Sequence, residues 1–227
     1  MKKTMVRVLL CGLAAFCSLP AATQEKFLYR ERTKDVDVST TIWEEKLPGG
    51  SIVNSSMGDG DTHKVEVDES FATQRYSFES PKRKTAYVVV REGNTLRLEG
   101  TLNGRQLLRT VPIDARPWYE SLEWTLRGFV ASSFDSVIFW IVYPFEAKVY
   151  LMRAHSEARE SVQVNDQSMD AVRVRVGLSG IGSILWNSVY WFRPTDGEFL
   201  RSEAVRGFPG TPMTVVELVG TVPADSN

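Results

Sequence analysis

Polar and apolar residues alternate along most of this chain with the period of two that marks β-strands. The stretch AYVVVREGNTLRLEGTLNGRQLLRTVPI, residues 86–113, shows it best. Residues 86–91 form a run rich in valine, and Glu92-Gly93-Asn94 reads as a turn. Residues 95–102 then alternate, with Leu96 and Leu98 on one face. Asn103-Gly104 is a two-residue hairpin signal, because both types tolerate positive φ, and residues 105–113 run back. These three segments predict an antiparallel meander. Earlier strands are predicted at 27–33, 37–45, 51–56, 63–68 and 75–80, punctuated by LPGG and GDGD.

The middle of the chain changes period. Trp118, Leu122, Leu126, Phe129 and Val130 recur at helical spacing, and Pro117 suits a first helical position, so a helix is predicted over 117–132. The next stretch, SVIFWIVYPF, is apolar on every side. Residues 137–145 fit a buried helical turn and a central strand equally well by periodicity.

Strands resume afterwards, at 148–155, 160–164, 171–178, 188–193, 198–205 and 213–219. In the third of these, Val172, Val174, Val176 and Leu178 share one face, and Arg173 and Arg175 share the other. That is a strand with one buried and one wet face. The segment WFRPTDGEFLRSE carries Arg, Asp and Glu close together, a composition that also suits a catalytic loop. Asp196-Gly197, however, lies between two aromatic-rich strands in the place of a hairpin turn. Arg193, Glu198, Arg201 and Glu203 then read as exposed sides of strands.

The first 22 residues carry a different signal. MKK supplies positive charge, residues 6–19 are mostly apolar, and SLPAATQE ends the run with small and polar residues. This is the pattern of a secretory signal peptide, too short for a transmembrane span. It predicts cleavage after Ala21 or Ala22, a single β-rich domain over 23–227, and a periplasmic or secreted location without a transmembrane helix in the mature chain. Both cysteines, Cys11 and Cys17, fall inside this segment, and the bulky Phe16 before Cys17 argues against lipid attachment there. The mature chain is left with no disulfide, thiol nucleophile or cysteine-ligated metal. A formal net charge of −1 offers no basic field for nucleic acid.

Little in the remaining sequence carries chemistry. Asp59, Asp61 and His63 fall at alternate positions and would share a strand face, but the glycine-rich GDGD context reads as a hairpin tip rather than a metal site. His155, in MRAHSEARES, has serines nearby but no third partner and no Gly-x-Ser-x-Gly turn. GLSGIGS lacks the spacing of a phosphate loop. No catalytic residue, metal or cofactor is assigned, and the chain is read as a non-enzyme.

Three stretches resemble a proteobacterial envelope family catalogued as a domain of unknown function: SVQVNDQSMDAVRVRVGLSG, YWFRPTDGEFLRSE and GTPMTVVELVG. A turn before a D-A-x-R-V-x-V strand matches Asp170 to Val176, and L-R-S-E matches Leu200 to Glu203. The resemblance covers about the last third of the chain and implies no catalytic residues. In architecture the whole chain is more distantly similar to outer-membrane lipoprotein carriers and receptors. That analogy implies an open half-barrel, a single curved antiparallel sheet with one or two helices on its concave face.

Six Trp, seven Tyr and eleven Phe are the strongest remaining feature, with Trp118, Trp124, Trp140, Trp186 and Trp191 in the second half. Large aromatics of this kind fill cores or line apolar clefts. The cleft reading predicts a binding site for a lipid-like or other apolar ligand. It would be lined by Trp118, Leu122, Leu126, Phe129, Phe139 and Trp140, with Val174, Val176 and Tyr190 opposite and Arg127 or a strand arginine at the mouth. An envelope scaffold that binds another protein is the alternative, and a hydrolase of unidentified substrate ranks third.

Overall fold

In the computed structural model of the chain, residues 24–223 are described apart from 35, 59, 181–186 and 206–211. The signal-peptide segment, its cleavage site and both cysteines lie outside the described residues.

Eight strands come first: β1 (Gln24–Thr33), β2 (Val36–Leu47), β3 (Gly50–Met57), β4 (Thr62–Asp68), β5 (Thr73–Ser80), β6 (Thr85–Glu92), β7 (Thr95–Leu102) and β8 (Arg105–Pro112). A link over residues 113–121 leads into α1 (Leu122–Ala131), the one α-helix among the described residues. Six more strands follow: β9 (Ser136–Tyr143), β10 (Lys148–Val164), β11 (Gln167–Leu178), β12 (Asn187–Phe192), β13 (Phe199–Val205) and β14 (Met213–Pro223). All belong to one antiparallel sheet, in the order β8-β7-β6-β5-β4-β3-β2-β1-β14-β13-β12-β11-β10-β9.

The chain therefore starts mid-sheet and steps outward to β8. It then crosses to the opposite edge and steps back until β14 pairs with β1, from Glu25↔Pro223 to Thr33↔Thr214. The sheet curves, helped by bulges at Leu28/Tyr29, Glu66/Val67, Ser156/Ala158 and Trp191/Phe192. The edge strands β8 and β9 do not pair with each other, so this is an open half-barrel. Side chains cross the gap instead. Tyr87 Oη donates to Pro144 O (2.9 Å), Arg109 donates to Ala147 O, and the Arg83 guanidinium lies 4.4 Å from the Phe145 ring centre.

Alternation along the strands gives the sheet a packed inner face. Val53, Val65, Tyr76, Phe78, Val89, Leu96 and Leu98 are buried from one half, and Phe139, Met152, Ala154, Val174 and Val176 from the other. Arg173 and Arg175 are on the outer face, paired with Glu157. The Asn103-Gly104 hairpin forms as predicted, with both residues at positive φ.

Four sequence readings are corrected, and one left open between helix and strand is resolved. The helix begins at Leu122, not Pro117, because the backbone of 117–119 is engaged elsewhere. Pro117 O accepts from Trp140 N, Trp140 O accepts from Tyr119 N, and Trp118 O accepts from Thr73 N. Those groups cannot also serve a helix, and Ser121 turns the chain into α1 with φ of 50°. Trp118 is thus no helix-face residue but half of a parallel bridge with Trp140. Secondly, the undecided run 137–145 is mostly strand, because β10 offers it a partner from Lys148↔Tyr143 to His155↔Ser136. Thirdly, the predicted strands 148–155 and 160–164 are one strand, β10, whose alternation is obscured by a bulge and an exposed middle. Lastly, Asp196-Gly197 closes a longer turn than two residues: Arg193 N donates to Glu198 O and Gly197 N donates to Arg193 O. Glu198, read as exposed, is buried at 8% accessibility.

Candidate functional site

The concave face is where the sheet, the link and α1 converge. The helix buries Leu122, Trp124, Thr125, Leu126 and Phe129 against it, lying closest to β12 and β13. Two glycines set its seat. A Cβ on Gly128 would stand 2.7 Å from Ser70 O in the β4–β5 turn, and one on Gly197 would stand 3.3 Å from Arg127 Cβ. The helix is thus wedged between two turns from different parts of the sheet.

Every residue expected to line a cleft comes from this region. Leu122, Leu126 and Phe129 lie on α1, Trp118 in the link, Phe139 and Trp140 on β9, Val174 and Val176 on β11, and Tyr190 on β12. All are buried except Trp140, which is half-buried. Pairing brings several together. Val174 faces Tyr190 across β11–β12, Val176 faces Ala154 across β10–β11, and Phe139 faces Met152 across β9–β10. Phe139 also packs on Tyr119 at 5.1 Å, and Tyr190 stacks on Phe192 at 6.3 Å. Trp186 and Asp59 lie outside the described residues.

Trp118 belongs to a polar latch as well as to the apolar lining. Its indole Nε1 donates to Glu120 Oε1 (2.7 Å), which also accepts from the backbone N of Val142 (2.6 Å). The N–H of Glu120 donates to Thr73 Oγ1, and Trp140 Nε1 donates to Asp114 Oδ1. Arg91 ties the same segment down through the carbonyls of Asp114 and Arg116. Burial pushes the Glu120 carboxyl up to about 8, against the opposing effect of its two donors. The Asp114 carboxyl is held below its ordinary value, chiefly by the Trp140 indole.

A second polar group lies under α1, beside β1 and β2. Sequence reading foresaw only Arg127, as a residue at the mouth. Its guanidinium carbon lies 3.5 Å from the Trp124 ring centre and 5.5 Å from that of Phe27. Burial lowers its pKa, opposed by nearby Tyr29, Glu44 and Glu198. Tyr29 Oη donates to Phe199 O, and burial raises its pKa strongly. Glu198 is also raised by burial, while Arg193 donates to its Oε2. Glu44 is buried at 3% accessibility. A signal for it existed: Thr40, Ile42 and Glu44 alternate, so an apolar residue in their middle places all three inward.

The histidines are apart from both groups. His63 Nδ1 shares a hydrogen bond with Tyr76 Oη (2.8 Å) and its ring packs on Phe78, whereas His155 is exposed on β10. Among the described residues, no three His, Cys, Asp or Glu side chains are grouped to hold a metal, and no helix is long and apolar enough to cross a membrane. An open groove of about 740 Å³ is lined by residues of the β10–β11 hairpin and by Arg193, Pro194 and Thr195. None of the nine expected lining residues borders it.

No protein-family model matches the chain, and no curated protein sequence matches it. Among solved structures it is similar to the beta-barrel-like protein of domain of unknown function DUF1849 from Brucella abortus. That match has a TM-score of 0.60 and 8% identity, over 90% of this chain and 99% of that one. A hypothetical lipoprotein from Escherichia coli follows at TM-score 0.40 and 9% identity, over 90% and 86% of the two chains. A LolA superfamily protein from Nitrosomonas europaea follows at TM-score 0.29 and 7% identity, over 91% and 87%. The last two are too distant in superposition to carry an argument. At so low an identity the first likeness is one of fold alone: the chain has the beta-barrel-like fold of that Brucella protein.

Proposed function

We propose that this protein is a non-catalytic carrier for a lipid-like ligand, exported to the cell envelope by the signal peptide of residues 1–22. One observation supports it above the others. The concave face of an open sheet is rich in buried apolar and aromatic side chains, and a ten-residue helix packs on it over β12 and β13. A ligand would lie between α1 and the strands, against Leu122, Leu126 and Phe129 on one side and Phe139, Val174, Val176 and Tyr190 on the other. Trp118 and Trp140 would stand at the link end. An acyl chain entering a dry space of that lining gains about 0.8 kcal/mol per methylene buried.

The test is mass spectrometry of lipids extracted from the purified protein, joined to two variants. Leu126→Trp and Phe129→Trp fill whatever space the helix leaves. With a ligand space present, each abolishes fluorescent fatty-acid binding at little loss of stability. In a filled core each costs about 1–3 kcal/mol by overpacking. That cost, together with no binding by the parent, would overturn the carrier reading.

An envelope scaffold remains the second reading, and one observation favours it. Strand β8 is largely exposed at its edge, and Leu108 there is 68% accessible. Exposed edge strands pair readily with other chains, although Arg105, Arg109 and Pro112 act against it.

A further inference from the structure

Several buried hydrogen-bonding atoms on α1 and on the elements beneath it have no partner. Among the described residues, Arg127 Nε and Nη2, Trp124 Nε1, Glu44 Oε2, Glu198 Oε1 and Thr40 Oγ1 make no hydrogen bond. Thr40 and Glu44 point inward from β2, Trp124 and Arg127 come from α1, and Glu198 follows the β12–β13 turn. A folded core rarely leaves such atoms unmatched, because each forfeits its hydration.

The geometry gives them a direction. The Arg127 guanidinium lies over the Trp124 ring, so its attractive partner there is a π-face. This leaves Nε and Nη2, which form one edge of the guanidinium. That edge offers two parallel donors at the spacing of a carboxylate or phosphate. The carboxylates of Glu44 and Glu198 are near enough to act on Arg127 electrostatically, yet neither accepts from it. Glu198 instead uses its other oxygen for Arg193. The group thus holds unused donors on Arg127 and Trp124 and unused anionic acceptors on Glu44 and Glu198.

We infer that this cluster is a binding site for a small zwitterionic group. Its anion would lie on the Arg127 edge and Trp124 Nε1, and its ammonium would lie on Glu44 and Glu198. The inference rests on the carrier reading for the source of the group. In a lipid, a phosphoethanolamine head fits this description, with its acyl chains continuing along the apolar concave face. A glycerol head has no ammonium for the two glutamates, and a fatty acid has only the anion.

The test exposes the purified full chain to vesicles of equimolar phosphatidylethanolamine, phosphatidylglycerol and diacylglycerol, and weighs the lipids recovered with it. The expected result is enrichment of phosphatidylethanolamine by about tenfold, the share of one charged hydrogen bond. Glu44→Gln is expected to abolish that preference while lipid is still bound. Arg127→Gln is expected to reduce recovery of both phospholipids relative to diacylglycerol. If Arg127→Gln does not fold, Glu44→Gln decides alone. Uptake of all three lipids without preference, unaltered in Glu44→Gln, overturns the zwitterion site and leaves the carrier standing. If no lipid is recovered, titration with free O-phosphoethanolamine separates the two ideas. Binding that Glu44→Gln weakens keeps the site and removes the carrier, and no binding overturns both.

Discussion

The side chain of Glu120 and the backbone amide of Val142 are 2.6 Å apart, and through that contact the link between the two halves of the sheet is bonded to its edge strand β9. The same oxygen holds the Trp118 indole, so one buried carboxyl joins the segment before α1 to the strand after it. The curved sheet is open by its strand pairing, and this contact fastens the link to one of its edges.

This contact predicts a pH dependence of stability. The folded-state pKa of Glu120 is raised to about 8 from an ordinary 4.5, so the native state keeps a proton that the unfolded chain has released. The contribution of this proton is complete below the unfolded value and is lost as pH rises towards the folded one. Stability should therefore fall between about pH 4.5 and 8, by roughly 1.4 kcal/mol per pH unit at the steepest. Glu120→Gln, neutral at every pH, should flatten that slope. Urea unfolding of both proteins at pH 5, 6.5 and 8 checks it, and parallel slopes would show that Glu120 is not the group responsible.

The seat of α1 predicts a cost for adding a methyl group. Gly128→Ala places Cβ 2.7 Å from Ser70 O, with the Phe71 ring at 3.2 Å. The helix must lift or the β4–β5 turn must shift, and overpacking of this kind costs about 1–3 kcal/mol. Alanine otherwise favours a helix over glycine by about 1 kcal/mol, so a net loss in thermal melting isolates the clash. A stabilised variant would mean that the helix does not rest there.

At the β12–β13 turn two neighbours should behave differently. Gly197 has φ of 69°, and its Cβ would meet Arg127. Gly197→Val should destabilise by about 1 kcal/mol or more, since a β-branched residue resists positive φ. Asp196→Asn should be almost silent, because an amide oxygen can still accept from Glu198 N as Asp196 Oδ1 does at 3.0 Å. Loss of ligand binding by Asp196→Asn at unchanged melting would make Asp196 a site residue rather than a turn residue.

The two histidines should also separate. His63→Ala removes the Nδ1 partner of Tyr76 Oη, a hydroxyl in a fully buried side chain, and should lower stability by about 1–3 kcal/mol. His155→Ala, on an exposed position, should leave melting unchanged. Neither should alter lipid recovery; loss of it in a folded variant would give that histidine a functional role.

Local features of the fold were legible because local physics determines them. Alternating Leu96 and Leu98, or Val172, Val174 and Val176, need only a sheet with one apolar side to be placed correctly. Asn103-Gly104 needed only its own tolerance of positive φ. The alternation implied an antiparallel sheet with one helical stripe, and the half-barrel class came from the architectural resemblance to lipoprotein carriers and receptors. Arg127 was legible as a candidate cation, and inward-facing Glu44 was legible in principle from the alternation around Ile42.

What remained was decided at a distance. Trp118 had helical spacing, yet the carbonyl and amide of Trp140 claimed its neighbours' backbone for a bridge. The run 137–145 carried no period to read, and only the presence of β10 beside it made most of it a strand. Glu198 follows an Asp-Gly turn, a place where exposure is the ordinary outcome, but the return of α1 over that turn buries it. The cluster of Arg127, Glu44 and Glu198 is of this second kind. It joins a helix, an early strand and a late turn, because β14 closes back onto β1 and brings the two ends of the chain into one concave face. Periodicity reports which side of a strand faces inward. Curvature and long-range pairing decide what it meets there.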